Sequence, residues 1–252
     1  MDPGESQMAQ QVKHLFIVTS AVNSKFGVFS PEQRLQQTLS TITSIRNKIP
    51  TAGIVIMECC GTPITEAQAD QLRAVSDHFR DMSRDADVQA LYDNDNWDVV
   101  KNGTEIMCFG RILNELRTDP VLVEKFKDVD RMHKMSGRYI LNDMFDVETY
   151  EKSDVADRII IGPKYKSQFP ESVTTQPWQY MARLWSWPVS RLDEVVEVYE
   201  NSLVFFAERL AAGGYVDIEH VLARFLNPAH VHEIQNLGVE GCIAPNGTAI
   251  KN

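Results

Sequence analysis

Two aspartates that follow a short apolar run, in Ser136-Gly137-Arg138-Tyr139-Ile140-Leu141-Asn142-Asp143-Met144-Phe145-Asp146, carry the most specific chemistry in this chain. Carboxylates at a strand end can hold a divalent cation. Basic side chains such as Arg138 and Lys134 are the other way to neutralise a developing negative charge. Upstream, Lys101-Asn102-Gly103-Thr104-Glu105 reads as a polar, glycine-bearing turn that opens a helix. Asp93-Asn94-Asp95-Asn96 has the D-x-D spacing of a metal or ribose site, and equally the composition of a turn.

Other titratable groups stand where chemistry would need them. Glu58 closes an apolar run, and a carboxylate there is costly unless it faces a crevice or has a partner. Asp217, Glu219 and His220 cluster after Tyr215, and any of them could take a proton from a hydroxyl. Asp217 also fits a helix N-cap with His220 at the third helical position. Trp185 and Trp187 offer faces for stacking on sugars or bases, although tryptophans also fill cores.

The elements that must position these groups follow from periodicity and caps. His14 to Ala21 is a buried strand that breaks into small polar residues. Ser30, Pro31 and Gln33 form a capping box with proline at the first helical position, and the helix runs to Lys48 before Pro50. Ala52–Cys59 predicts a strand, Thr65–Met82 a helix, Val88–Tyr92 a strand and Gly103–Leu116 a helix. Strands over 137–141 and 158–162 and helices over 192–212 and 218–226 complete the pattern. The β-α-β-α-β order implies a parallel sheet with helices on its faces, whose ligands sit beyond the carboxyl ends of the strands. Thr19–Asn23, Glu58–Thr62 and Asp93–Asn96 should therefore meet.

At 252 residues and 43 % hydrophobic, the chain can bury one substantial core, expected over 12–252 with a flexible leader at 1–11. Its apolar runs are strand-length, too short to span a bilayer, and the polar, acidic first residues do not resemble a secretory signal. A cytoplasmic protein without membrane partners is the expectation. Cys59, Cys60, Cys108 and Cys242 lack C-x-x-C spacing and read as reduced thiols. The formal charge of −10 would repel a nucleic acid if spread evenly. Between Arg111 and Pro170, however, 11 basic residues balance 11 acidic ones, so Lys125, Lys127, Arg131, Lys134, Lys164 and Lys166 can form a local basic face.

The wording F-I-V-T-S-A from Phe16, R-x-x-Q-T-x-x-T-I-x-S-I-R from Arg34 and S-G-R-Y-x-L-N-D from Ser136 resembles phage-encoded GT-A-like glycosyltransferases. The resemblance implies a Rossmann-like, mostly parallel sheet and a nucleotide-sugar donor, a UDP-sugar such as UDP-glucose or UDP-arabinose. It implies nucleotide-sugar contacts from Thr19, Ser20, Ala21, Arg34, Glu58, Lys101, Asn102, Gly103, Ser136, Gly137 and Arg138. Asp143 and Asp146 would hold Mg²⁺ or Mn²⁺, but Asn142-Asp143 with Asp146 departs from the family's D-x-D, which leaves metal dependence open. Asp217, Glu219 or His220 would supply the base, and Trp185, Trp187, Lys164 and Lys166 the acceptor side. The acceptor implied by relatives in T4-like phages is 5-hydroxymethylcytosine in phage DNA, with a surface glycan or lipopolysaccharide as the alternative. A sugar nucleotidyltransferase and a non-catalytic nucleotide-sugar-binding protein are the other classes, the former lacking here its glycine- and arginine-rich loop after the first strand.

Overall fold

The computed structural model describes residues 13–243 and 246–252; the expected leader at 1–11 lies outside them. The strands are β1 (His14–Ser20), β2 (Gly53–Glu58), β3 (His78–Asp81), β4 (Arg131–Ser136), β5 (Tyr139–Leu141), β6 (Ile159–Ile161), β7 (Lys164–Lys166), β8 (Trp178–Tyr180), β9 (Leu184–Pro188), β10 (Val231–Glu233), β11 (Val239–Cys242) and β12 (Ala249–Lys251). The helices are α1 (Pro31–Lys48), α2 (Glu66–Val75), α3 (Ala86–Tyr92), α4 (Trp97–Thr118), α5 (Pro120–Lys125), α6 (Glu148–Glu151), α7 (Glu171–Thr174), α8 (Leu192–Ala211) and α9 (Ile218–Phe225). Seven strands form one sheet in the order β10-β6-β9-β4-β1-β2-β3. It is mostly parallel, with β9 antiparallel between β4 and β6. A small antiparallel sheet (β12-β11-β5) and a ribbon (β7-β8) flank it.

Alternation along the buried strands sorts the core into two layers. Leu15, Ile17, Val55 and Met57 face Phe109 and Ile112 of α4, Tyr199 of α8 and Val221 of α9. Phe16, Val18, Ile54 and Ile56 face Leu35, Ile42 and Ile45 of α1 and Leu72 of α2. No helix among the described residues is long and apolar enough to cross a membrane.

Local chemistry sets the boundaries. In α1 the Ser30 hydroxyl accepts from the Gln33 amide at 3.3 Å, and the Gln33 side chain accepts from the Ser30 amide at 2.8 Å. The helix expected over Thr65–Met82 stops at Val75, because Asp77 turns back to accept from the Ile54 amide at 2.7 Å and 78–81 pair with β2. The strand expected over Val88–Tyr92 is instead α3, whose Val88 and Leu91 share one face three residues apart. The helix expected from Gly103 begins six residues earlier, at Trp97, capped by Asn96, which accepts from the Asp98 amide at 3.0 Å. The run Asp93–Asn96 is thus cap and turn chemistry.

The strand expected over 137–141 is the short β5, which leaves the main sheet after β4 to pair with β11; β4 itself is buried along its whole length despite Arg131, His133 and Lys134. Each of those side chains finds an internal partner, although Nδ1 of His133 is left without one. Arg131 donates to the Val155 carbonyl at 2.7 Å and the Ser186 hydroxyl at 3.0 Å, and His133 shares a 2.8 Å hydrogen bond with His14. Between β4 and β5, a side chain at Gly137 would meet Thr38 Oγ1 at 2.8 Å and the Thr19 carbonyl at 3.0 Å, so glycine lets this turn pack against α1 and the end of β1.

Trp185 and Trp187, expected to face an acceptor, lie on β9 with 0 % exposure, their rings 4.5 Å apart and Trp187 edge-on to Phe109. Neither has a free face. Trp187→Ala should therefore cost about 3–5 kcal/mol of stability in urea unfolding, and a variant with wild-type stability would argue against the core role.

Candidate functional site

The carboxyl ends of β1, β2 and β4 open into a cleft enclosing about 820 Å³, solvent at its mouth included. From β1 come Thr19 and Ser20, followed by Ala21; Cys59 and Cys60 follow β2, and Ser136, Gly137 and Arg138 turn from β4 into β5. Arg34, Gln37 and Thr38 of α1 form a second wall and Trp97, Val100, Lys101, Thr104 and Glu105 of α4 a third. This is the switch-point location at which open α/β sheets bind ligands.

The α4 wall follows from helical spacing. Residues 97, 100, 101, 104 and 105 recur three and four apart and so share one face. Asn102 and Gly103, expected beside Lys101 in a turn, point elsewhere for the same reason. The Asn102 amide donates to the Tyr215 hydroxyl at 2.7 Å and to the Asp98 carbonyl at 2.9 Å, and a side chain at Gly103 would press on the Phe206 ring at 3.0 Å. Those two residues serve the packing of α4 on its neighbours.

The floor is organised by Glu58. Its carboxylate oxygens accept from the Ser20 hydroxyl at 2.7 Å and from the amides of Val22 at 3.2 Å and Cys60 at 3.1 Å. Burial pushes its pKa up to about 7 against the pull of these donors. Glu58 does not line the cleft; it fixes the chain that does. Above it, Tyr92 clamps the surrounding loops, its hydroxyl accepting from the Lys25 amide at 2.6 Å and from Thr62 at 3.1 Å.

The walls are cationic. Arg34 is 7 % exposed, and its one hydrogen bond, 2.9 Å to the Phe26 carbonyl, leaves Nε buried without a protein partner. Burial, then the like charge of Arg138, lower its pKa, though a guanidinium stays protonated. Arg138, half-buried, also has a buried Nε with no partner. Among the described residues no carboxylate forms an ion pair with either arginine. Lys101 lies over the Trp97 ring, 5.4 Å from its centre. Lys134 differs, because its ammonium is 2.6 Å from Glu105. Burial alone would push Glu105 up, yet that ion pair holds it below its ordinary value.

The remaining expected residues separate. Asp143 is fully exposed, 3.5 Å from Lys48, and Asp146 accepts from the Glu148 amide at 3.0 Å and the Thr149 hydroxyl at 3.0 Å. Neither lines the cleft, and a turn is their structural role. No cluster of three or more His, Cys, Asp or Glu side chains able to hold a metal exists among the described residues. Lys164 and Lys166 lie on the β7-β8 ribbon. Asp217 caps α9 by accepting from the His220 amide at 3.0 Å. The fully buried His220 ring uses both nitrogens, one on Asp217 and one on the Ser167 hydroxyl at 2.7 Å. Glu219, one residue before it, is pushed up to about 7 by burial and by Asp217, within range of the charges of Lys101 and Glu105. The tail supplies β11 to the small sheet, and residues 244 and 245 lie outside the described residues. Sequence reasoning missed Gln37, Thr38, Tyr92 and Trp97, which reach the cleft as the helical faces of α1, α3 and α4.

No known protein family matches this sequence, nor does any curated protein. Solved structures match along most of its length. An active-site mutant of LgtC shares 11 % identity over 89 % of this chain and 85 % of that one, with a TM-score of 0.50. Core-mannan synthase A from Aspergillus fumigatus, in its Mn/GDP form, shares 11 % over 91 % and 74 %, with a TM-score of 0.48. The nucleoside-diphosphate-sugar pyrophosphorylase from Vibrio cholerae RC9 shares 10 % over 92 % and 96 %, with a TM-score of 0.47. The chain thus has the GT-A-like α/β fold, a mostly parallel sheet flanked by helices in a single domain.

The buried Glu58 generates a pH prediction. Its native pKa, about 7, exceeds the ordinary 4.5, so the folded protein keeps a proton that the unfolded chain releases. Its stabilisation is complete below the ordinary value and is lost as pH rises through the native one. Thermal melts across that window should fall less steeply for Glu58→Gln than for the wild type. Equal slopes would mean that Glu58 is ionised in the folded protein.

Proposed function

We propose that this protein moves a sugar from a nucleoside-diphosphate-sugar donor, held in the cleft, to an acceptor hydroxyl. One observation carries the reading: in a chain of net charge −10, Arg34, Arg138 and Lys101 gather at the carboxyl ends of parallel strands, none of them in an ion pair among the described residues, beside a single lining carboxylate, Glu105, that is already paired with Lys134. Such unspent charge suits a diphosphate, both as a bound group and as a leaving group. Thr19, Ser20 and Ala21 at the end of β1 are the residues for the nucleoside, with Ser136 and Gly137 backbone close by. A UDP-sugar is the first donor to test.

In the reaction, the acceptor oxygen bonds to the anomeric carbon as the bond from that carbon to the phosphate oxygen breaks, and the nucleoside diphosphate departs with the electron pair. The acceptor proton goes to Glu219. Its half-buried carboxyl, raised to about 7, is suited to take a proton near neutral pH. Asp217 and His220 act through the cap that positions α9, as does Ser167 through the imidazole.

Hydroxymethylated cytosine in duplex DNA remains an acceptor to test, with narrower support. Of the basic residues that would meet phosphates, Arg131 and Lys134 are buried, Lys127 pairs with Glu124 at 2.6 Å and Lys125 donates to the Asp77 carbonyl. Lys164 and Lys166 of β7 are left for that role.

Incubation with a panel of nucleotide sugars, scored for nucleoside diphosphate and pyrophosphate, tests the activity, with hydroxymethylated DNA and glycans as parallel acceptors. Release of nucleoside diphosphate on sugar transfer is expected; release of pyrophosphate from a sugar phosphate and a nucleoside triphosphate would make the protein a nucleotidyltransferase. Glu219→Gln should lower turnover by about 10²–10⁴-fold with donor affinity kept. Full turnover in that variant would remove Glu219 as the base.

A further inference from the structure

Enzymes that expel a nucleoside diphosphate commonly neutralise it with a divalent cation held by carboxylates. The donor set of this cleft does not fit one. Asp143 and Asp146 are elsewhere, Asp93 and Asp95 are exposed turn residues that do not line the cleft, and Glu105 is already engaged by Lys134. Glu58 lies below the floor, its oxygens occupied by Ser20, Val22 and Cys60. A hard cation needs several oxygens converging on one point, and the carboxylates here do not converge.

What the cleft presents instead is a pair of guanidinium groups, one on α1 and one on the β4-β5 turn. Arg34 is nine-tenths buried and its Nε has no partner, although a buried charged donor left unmade is costly. The Nε of Arg138 repeats that deficit, and the two like charges disfavour each other, as the depressed Arg34 pKa reflects. A group that supplies acceptor oxygens and at least two negative charges relieves all three costs at once. A phosphate chain does so, and each planar guanidinium can grip two of its oxygens.

We propose that Arg34 and Arg138 together take the place of the divalent cation, binding the diphosphate of the nucleotide directly, so that recognition needs no metal. The inference rests on the nucleotide-sugar reading for the nucleoside but not for the diphosphate.

The test is calorimetric titration of the full chain with UDP, GDP, CDP and inorganic pyrophosphate, each with excess EDTA and with Mn²⁺. At least one nucleoside diphosphate should bind in EDTA with an affinity within about twofold of that in Mn²⁺. Arg138→Gln and Arg34→Gln should each weaken it by about tenfold or more. Arg34→Lys, which keeps the charge but not the fork, should weaken it as well, and matching thermal melts establish that the variants fold; Arg138 is half-buried and serves alone if Arg34→Gln unfolds. Binding only with Mn²⁺, or binding that survives loss of both arginines, overturns the proposal and leaves the nucleotide reading standing. Metal-free, arginine-dependent binding of pyrophosphate without any nucleoside diphosphate upholds the arginine pair and removes the nucleotide reading. No binding of any of the four removes both.

Discussion

The cleft depends on a carboxyl group that never reaches it. Where β1 and β2 end, the chain must turn while keeping its backbone amides satisfied, and Glu58 supplies the acceptors for Val22 and Cys60 and for the Ser20 hydroxyl. One side chain thereby fixes the exits of two adjacent strands. Because burial raises its pKa to about 7, Glu58 does this without becoming a full counter-ion to the arginine above it. A permanently charged carboxylate in that position would neutralise part of the wall that the cleft keeps cationic.

The same separation of spent and unspent charge runs through the molecule. Lys134 is buried and is matched by Glu105, and Arg131 is buried and is matched by carbonyls of the 155–158 segment and by Ser186. Those groups hold β4 and β9 against the helices and have nothing left for a ligand. Arg34 and Arg138 have donors left over, and they line the same cleft as Lys101. Charge left unpaired in a partly buried site is a reserve for binding, since a fixed cation there meets an anion with little screening. Outside the cleft lining, burial and then the charge of Asp217 push Glu219 up to about 7.

Much of this was legible in the residues themselves. The capping box of α1, the apolar runs of β1 and β2 and the long amphipathic α8 announce themselves locally, and their boundaries follow from Ser30, Pro31 and the residues beyond. Thr19, Ser20, Ala21, Arg34, Lys101, Ser136, Gly137 and Arg138 are brought together because strand ends and the helices that follow them share one edge of a parallel sheet. The illegible parts depend on distant partners. Arg-Met-His-Lys-Met-Ser reads as a surface segment until Glu105, His14 and Ser186 are known to receive its polar groups. Trp-Ser-Trp reads either as faces for stacking or as core until β9 is inserted between β4 and β6. Asp143 and Asp146 fit a metal site by composition alone, and only the geometry of the turn after β5 separates them from the cleft.

The central claim is that unpaired guanidinium charge at the strand ends is the binding determinant of this protein. A crystal structure with a nucleoside diphosphate, grown in the presence of a chelator, measures it most directly. The account predicts the diphosphate between α1 and the β4-β5 turn, with its oxygens within hydrogen-bond distance of both Arg34 and Arg138. A diphosphate bound elsewhere, or one that appears only when a divalent cation bridges it to carboxylates, would contradict it.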